Sequence, residues 1–212
     1  MLPLTKQSTM LMDMDTFALN RHEPRLATQA AEGLPRWRWT TDELVQLKAR
    51  GVFVDTDRFE LIGGEIVPTP ADGRRHATLQ DRLVERWSRI DPDRYRVGDE
   101  KQFNLDASTY AKPDVIVWPT GTVLYDLRGP DVLCVVEIAD SSLERDLGFK
   151  RKLYAGFGVR EYWVIEADTL RVHVHRDLLG SDYTSVEAHP PSDILALTLA
   201  PALSVRFADF SF

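Results

Sequence analysis

The chain has almost no cysteine. Its one thiol, Cys134, has no internal partner for a disulfide, and it sits in the apolar run Val132-Leu133-Cys134-Val135-Val136, which reads as core. No apolar stretch reaches the ~20 residues that a membrane-spanning helix needs. No basic segment followed by an apolar core opens the chain, so a secretory leader is not expected and a reducing cytoplasm is. Positive charge is also short: 26 Lys and Arg stand against 33 Asp and Glu, a net −7. That argues against a coat protein binding nucleic acid without regard to sequence, which would be basic overall. It does not exclude a nuclease, whose metal-binding acids add negative charge while a local basic strip meets phosphates. Internal repeats and low-complexity segments are absent as well.

What is present is ordinary globular composition, 43% hydrophobic and 28% charged over 212 residues, enough for one domain with a real core. Residues 1–35 lack sustained periodicity and read as a weakly ordered or partner-dependent tail; residues 36–212 read as the folded domain. Thr40-Thr41-Asp42-Glu43 starts a helix, a Thr cap followed by acids. Residues 59–67 predict a β-hairpin turning at Gly63-Gly64. Leu79, Leu83, Trp87 and Ile90 recur at helical spacing between His76 and Ile90.

Strands are predicted from Tyr95 toward Phe103, at Val115–Trp118, Val132–Glu137, Tyr162–Glu166 and Arg171–His175. A helix is predicted over Asp146–Phe157, and short closing strands between Ile194 and Phe207. A strand–helix–strand unit inside this order implies an α/β fold with a sheet of mixed direction. The Val132–Val136 run is apolar at every position, so it belongs at the sheet centre.

Two carboxylates mark the chemistry. Asp114 opens one apolar strand, and Glu137 closes the buried one. A carboxylate at the end of a central strand is costly unless it has a partner or a task. Two of them on neighbouring strands would repel, and a hard divalent cation relieves that repulsion while using both as ligands. Mg²⁺ takes one or two carboxylates plus waters and a substrate phosphate, which is an arrangement for phosphodiester cleavage. Lys150 lies on one helical stripe with Asp146, Leu153, Tyr154 and Phe157, so it points toward the sheet. There it would position or deprotonate the attacking water and offset charge on the phosphorane.

Pro113-Asp114 followed by Glu137 resembles the signature of the PD-(D/E)xK nuclease superfamily. More narrowly, FELIGGEIV at 59–67, KPDVIVW at 112–118 and VEIADSSLERDLGFKRKLYAGFGVREYWVIE at 136–166 are similar to the Uma-type restriction endonucleases. The resemblance spans about residues 38–207. It implies a restriction-endonuclease-like mixed β-sheet flanked by helices, with an added N-terminal helix and β-hairpin. It implies Asp114, Glu137 and Lys150 as catalytic residues, and Asp114, Glu137 and Ile138 as contacts of a Mg²⁺ ion for which Mn²⁺ would substitute. One position departs from the superfamily pattern: two residues after Glu137, where a lysine is expected, stands Ala139. The Uma-type pattern instead places the lysine on the following helix, at Lys150; Lys152 is the rival, on another helical face.

Glu60 is a candidate auxiliary acid, and Arg74, Arg75, His76 and Lys152 are candidate substrate contacts. Asp146 reads as a helix N-terminal acid favoured by the helix dipole. His173 and His175 alternate on one strand and read as an exposed face. The expected activity is hydrolysis of DNA by a homodimer, because two symmetric sites suit two strands. The competing readings are a member of the same fold that binds nucleic acid or protein without cutting, and an oligomer subunit whose acids form an ion-pair network.

Overall fold

The structure is a computed structural model that describes residues 34–54 and 58–210. The expected tail therefore lies outside the described residues, apart from Leu34 and Pro35. The folded unit is Arg36–Phe212.

Helix α1 (Thr41–Ala49) begins where expected. The Thr40 side chain accepts from the Glu43 amide while the Glu43 carboxylate accepts from the Thr40 amide, closing a capping box. Strands β1 (Phe59–Ile62) and β2 (Glu65–Pro68) form the predicted hairpin. Gly63 and Gly64 both take positive φ, 57° and 82°, as a two-residue primed turn requires. Helix α2 (Arg74–Ser88) buries Leu79, Leu83 and Trp87. Then come β3 (Tyr95–Asp99), β4 (Phe103–Asp106), β5 (Thr109–Ala111), β6 (Val115–Pro119) and β7 (Cys134–Ala139). A helical segment follows in three parts: α3 (Leu143–Arg145), a π-helical turn (Asp146–Lys150) and α4 (Arg151–Gly156). Strands β8 (Tyr162–Glu166), β9 (Val172–Leu179), β10 (Asp182–His189), β11 (Leu195–Ala196) and β12 (Ser204–Val205) complete the unit.

The main sheet has the order β10-β9-β8-β7-β6-β3. Strands β7 and β8 run parallel, joined by the helical crossover, and every other pair is antiparallel. The period-2 alternation of the strands sorts their side chains onto two faces. Val115, Val117, Val136, Ile138, Trp163 and Ile165 pack toward α2, with Leu79, Leu83 and Trp87. Ile116, Val135, Ala139, Tyr162 and Val164 pack toward α4, with Tyr154 and Ala155. Strand β7 is buried along its whole length, as its apolar run requires.

Three expectations are corrected. The strand extending from Tyr95 toward Phe103 is two strands in two sheets, because Glu100 adopts φ 46° and turns the chain between them. β4 and β5 join the hairpin in a second sheet, β2-β1-β5-β4, which rests on Leu44 of α1. Glu137 does not close its strand, since β7 continues to Ala139. Finally, His175 is buried, its ring against Tyr162 and Tyr183, and burial pushes its pKa down to about 4. His173 is part-buried, 2.7 Å from Glu166 Oε1.

Candidate active site

The β6–β7 pairing brings the two carboxylates together. Val115 lies opposite Val136, so the residue before β6, Asp114, adjoins Glu137. Past that pair β7 has no β6 neighbour, and the free Ile138 amide donates to Asp114 Oδ2 at 2.6 Å. The Asp114 amide in turn lies 3.4 Å from Glu137 Oε2. Two side chains fix Asp114 from α2: Gln80 Nε2 donates to its carbonyl at 2.9 Å, and His76 Nε2 lies 3.0 Å from Oδ2. Burial alone would lower the His76 pKa, but its bond to Asp114 and the charges of Asp114, Asp72 and Glu137 outweigh burial and raise it.

Glu137 shares the parity of Val135 and Ala139, so it faces the helical crossover. There Lys150 Nζ and Tyr154 Oη donate to its Oε1, at 3.2 and 2.7 Å. The π-helical turn keeps Asp146, Lys150 and Tyr154 all buried on the stripe that the spacing predicted. Lys150 also donates to Glu60 Oε1 at 2.6 Å, and the same oxygen accepts from the Lys112 amide at 2.8 Å. A hairpin residue in the second sheet thus completes a cluster anchored on the first. Burial pushes the Glu137 pKa up to about 8, against the opposing pull of Lys150 and with help from Asp114, Asp146 and Glu60. Burial would lower Lys150, but Glu137 and Glu60 outweigh it and hold the ammonium charged.

These residues line a cleft of about 370 Å³, with His76, Asp114, Glu137, Ile138 and Lys150 on its wall together with Glu60. Arg74 and Arg75 are exposed and do not line it, and Arg75 faces Asp168 at 3.9 Å. Lys152 is exposed on α4 and does not line the cleft. Asp146 is more than a capping acid: it is buried at the cleft, bonded to Ser142 Oγ, and Tyr162 Oη donates to its carbonyl at 3.0 Å. Sequence reasoning passed over Asp72, Gln80 and Lys112. Lys112 adjoins the Pro-Asp motif, and its place there was the available signal. Gln80 falls four residues after His76 on one helical face, the spacing that brings both to Asp114.

Among the described residues no group of three or more His, Cys, Asp or Glu side chains has the geometry to hold a metal ion. Mg²⁺ does not require one, because one or two carboxylates and waters suffice. The donor set fits that rule. Asp114 Oδ1 has no hydrogen-bond donor among the described residues, and it belongs to a carboxylate on the cleft wall. No helix among the described residues is long and apolar enough to cross a membrane.

No curated protein matches the chain. Among solved structures, the fold matches a crystal structure from Anabaena variabilis of a DUF820 protein titled a "putative nuclease". The TM-score is 0.64 at 18% sequence identity, over 80% of this chain and 96% of that one. The Uma2 family, described as "Putative restriction endonuclease", matches residues 41–208. The mixed sheet, the paired acids at the β6–β7 junction and this match together place the chain in the Uma2 restriction endonuclease family.

Proposed function

We propose that the protein is a Mg²⁺-dependent endonuclease that hydrolyses phosphodiester bonds of DNA, with Mn²⁺ able to substitute. The observation that carries this reading is the convergence of Asp114, Glu137 and Lys150 on one cleft wall from a strand entry, a strand interior and a helix. Asp114 and Glu137 would hold the ion through their carboxylates. Ile138, whose amide is taken by Asp114, would offer its carbonyl. When bound, the ion lowers the pKa of a water and neutralises developing charge on the phosphoryl oxygens.

The chain's own residues divide the remaining work. Lys150 stays protonated between Glu137 and Glu60, so it serves as a charged donor toward water or a phosphoryl oxygen rather than as a base. Tyr154 and Lys150 hold one Glu137 oxygen and so orient the carboxylate. His76 and the Ile138 amide do the same for Asp114. Hydrolysis adds water at phosphorus and breaks one phosphorus–oxygen ester bond. A homodimer would place two such sites on one duplex.

One observation favours a second reading, that of a binding protein without hydrolysis. Lys150 already bridges Glu60 and Glu137, taking up one oxygen of each carboxylate. Crystals soaked in Mn²⁺ separate the two. Anomalous density touching both Asp114 and Glu137 is expected for the nuclease; a Lys150–Glu137 pair with no density beside it would favour the second reading.

A further inference from the structure

Lys112 belongs to two cavities. It lines the active-site cleft on one side and, with Glu100, a second cavity of about 230 Å³ on the other. The wall of the second cavity is aromatic. The rings of Phe53 and Phe59 lie 4.9 Å apart, Phe59 and Tyr110 lie 6.4 Å apart, and Tyr125 stands 63% exposed at the rim. Tyr110 is buried among these side chains, yet its hydroxyl has no hydrogen-bond partner among the described residues. Lys112 and Glu100 line both cavities, and Lys101, also on the second wall, lies 3.7 Å from Asp99 Oδ1.

An aromatic wall with one idle polar group is suited to a planar heterocycle with hydrogen-bonding edges. Lys112, shared by the two cavities, suits a phosphate between them, and the volume is smaller than the roughly 300 Å³ at which drug-sized pockets begin. Bases of single-stranded or extruded nucleotides are held by stacking of this kind. We infer that the second cavity seats one unstacked nucleobase of the strand whose backbone crosses the active-site cleft, with Lys112 facing the phosphate between that base and the cleaved linkage. The inference rests on the nuclease reading for the direction of the strand. It makes the substrate a nucleic acid that is single-stranded or locally opened at the site, and it gives the hairpin sheet a substrate-binding role. Tyr110 Oη and Gln102 are the groups that read the base edge.

The test is binding of a fluorescein-labelled single-stranded oligonucleotide in EDTA, measured by anisotropy, with one abasic position moved along the strand. In the wild type, the abasic substitution at one position should weaken binding about tenfold, the scale of one stacked base. Tyr125→Ser alters only a rim residue and Phe59→Leu removes a ring. Each should weaken the intact oligonucleotide by about the same factor and leave the abasic one unchanged. If the variants keep the wild-type circular dichroism and bind both oligonucleotides as the wild type does, the base site does not exist. Base-dependent binding without any Mg²⁺-dependent cleavage would reject the nuclease reading and keep the site. Cleavage with no abasic effect would reject the site and keep the nuclease.

Discussion

Lys150 and Lys152 are two positions apart and differ in almost every physical respect. Lys150 is 2% exposed between two carboxylates, whereas Lys152 faces solvent. Removing one member of a buried ion pair leaves charge uncompensated, at about 3–5 kcal/mol. Lys150→Ala should therefore lower stability in urea by that amount, while Lys152→Ala should stay within about 0.5 kcal/mol. On folded protein, Lys150→Ala should lose about 10²-fold or more in turnover and keep metal binding, since it supplies charge and not a ligand. Greater damage from Lys152→Ala in single-turnover assays would show the lysine assignment to be wrong.

Glu137 yields a second expectation. Burial raises its pKa to about 8, above the 4.5 of an ordinary glutamate. A carboxyl raised on folding contributes its stability below 4.5 and loses it as pH climbs toward 8, so the metal-free protein should weaken over that window. A metal ion requires the ionised form and displaces the proton. Calorimetry should show affinity for Mn²⁺ rising about tenfold per pH unit up to about 8 and then levelling, with a proton released. A flat profile from about pH 6 to about pH 9 would mean that Glu137 is not a ligand.

The hairpin is the element on which the site's completeness depends, because it carries Glu60 to Lys150 across 90 residues of sequence. Its turn tolerates no side chain at Gly64: φ is 82°, and a Cβ there would meet Arg38 Cβ at 2.7 Å. Gly64→Ala should cost about 2 kcal/mol or more through strain and contact, and should reduce activity without touching the cleft. Gly121→Ala, at φ 97° with nothing within 4 Å, isolates the backbone part of that cost. Equal midpoints for the two in thermal melts would show that the Arg38 contact is unimportant.

The hairpin was legible because paired glycines between apolar runs are a strong local signal, and β6, β7 and β8 were legible from continuous apolar runs. β5 is three residues long, and β10 is polar with only Tyr183 buried, so neither has a pattern to read. The break between β3 and β4 turns on the backbone of one glutamate, which composition does not mark. Of the site, Asp114, Glu137 and Lys150 were readable along with Glu60 and His76. That Glu60 meets Lys150, and His76 meets Asp114, is a matter of tertiary placement. The charge of Arg74 and Arg75 marks them in the sequence but says nothing of direction, and neither lines the cleft.

At the scale of the molecule, the cleft shares the acidity of the chain: among the described residues seven Asp and Glu side chains line it against Arg58, Lys112, Arg145 and Lys150, a balance that suits a divalent cation. A homodimer is proposed on symmetry, and the exposed Leu179 of β9 and Val186 of the edge strand β10 offer apolar surface for it. Light scattering at micromolar concentration should give twice the 24.1 kDa of one chain, and a mass of 24.1 kDa would reject the dimer. The central claim, metal-dependent hydrolysis at the Asp114–Glu137 junction, is tested most directly by incubating plasmid and single-stranded DNA with wild type and Asp114→Ala, in Mg²⁺ and in EDTA. The account predicts cleavage by the wild type in Mg²⁺ alone. Cleavage that persists in EDTA, or that Asp114→Ala retains at the wild-type rate, would contradict it.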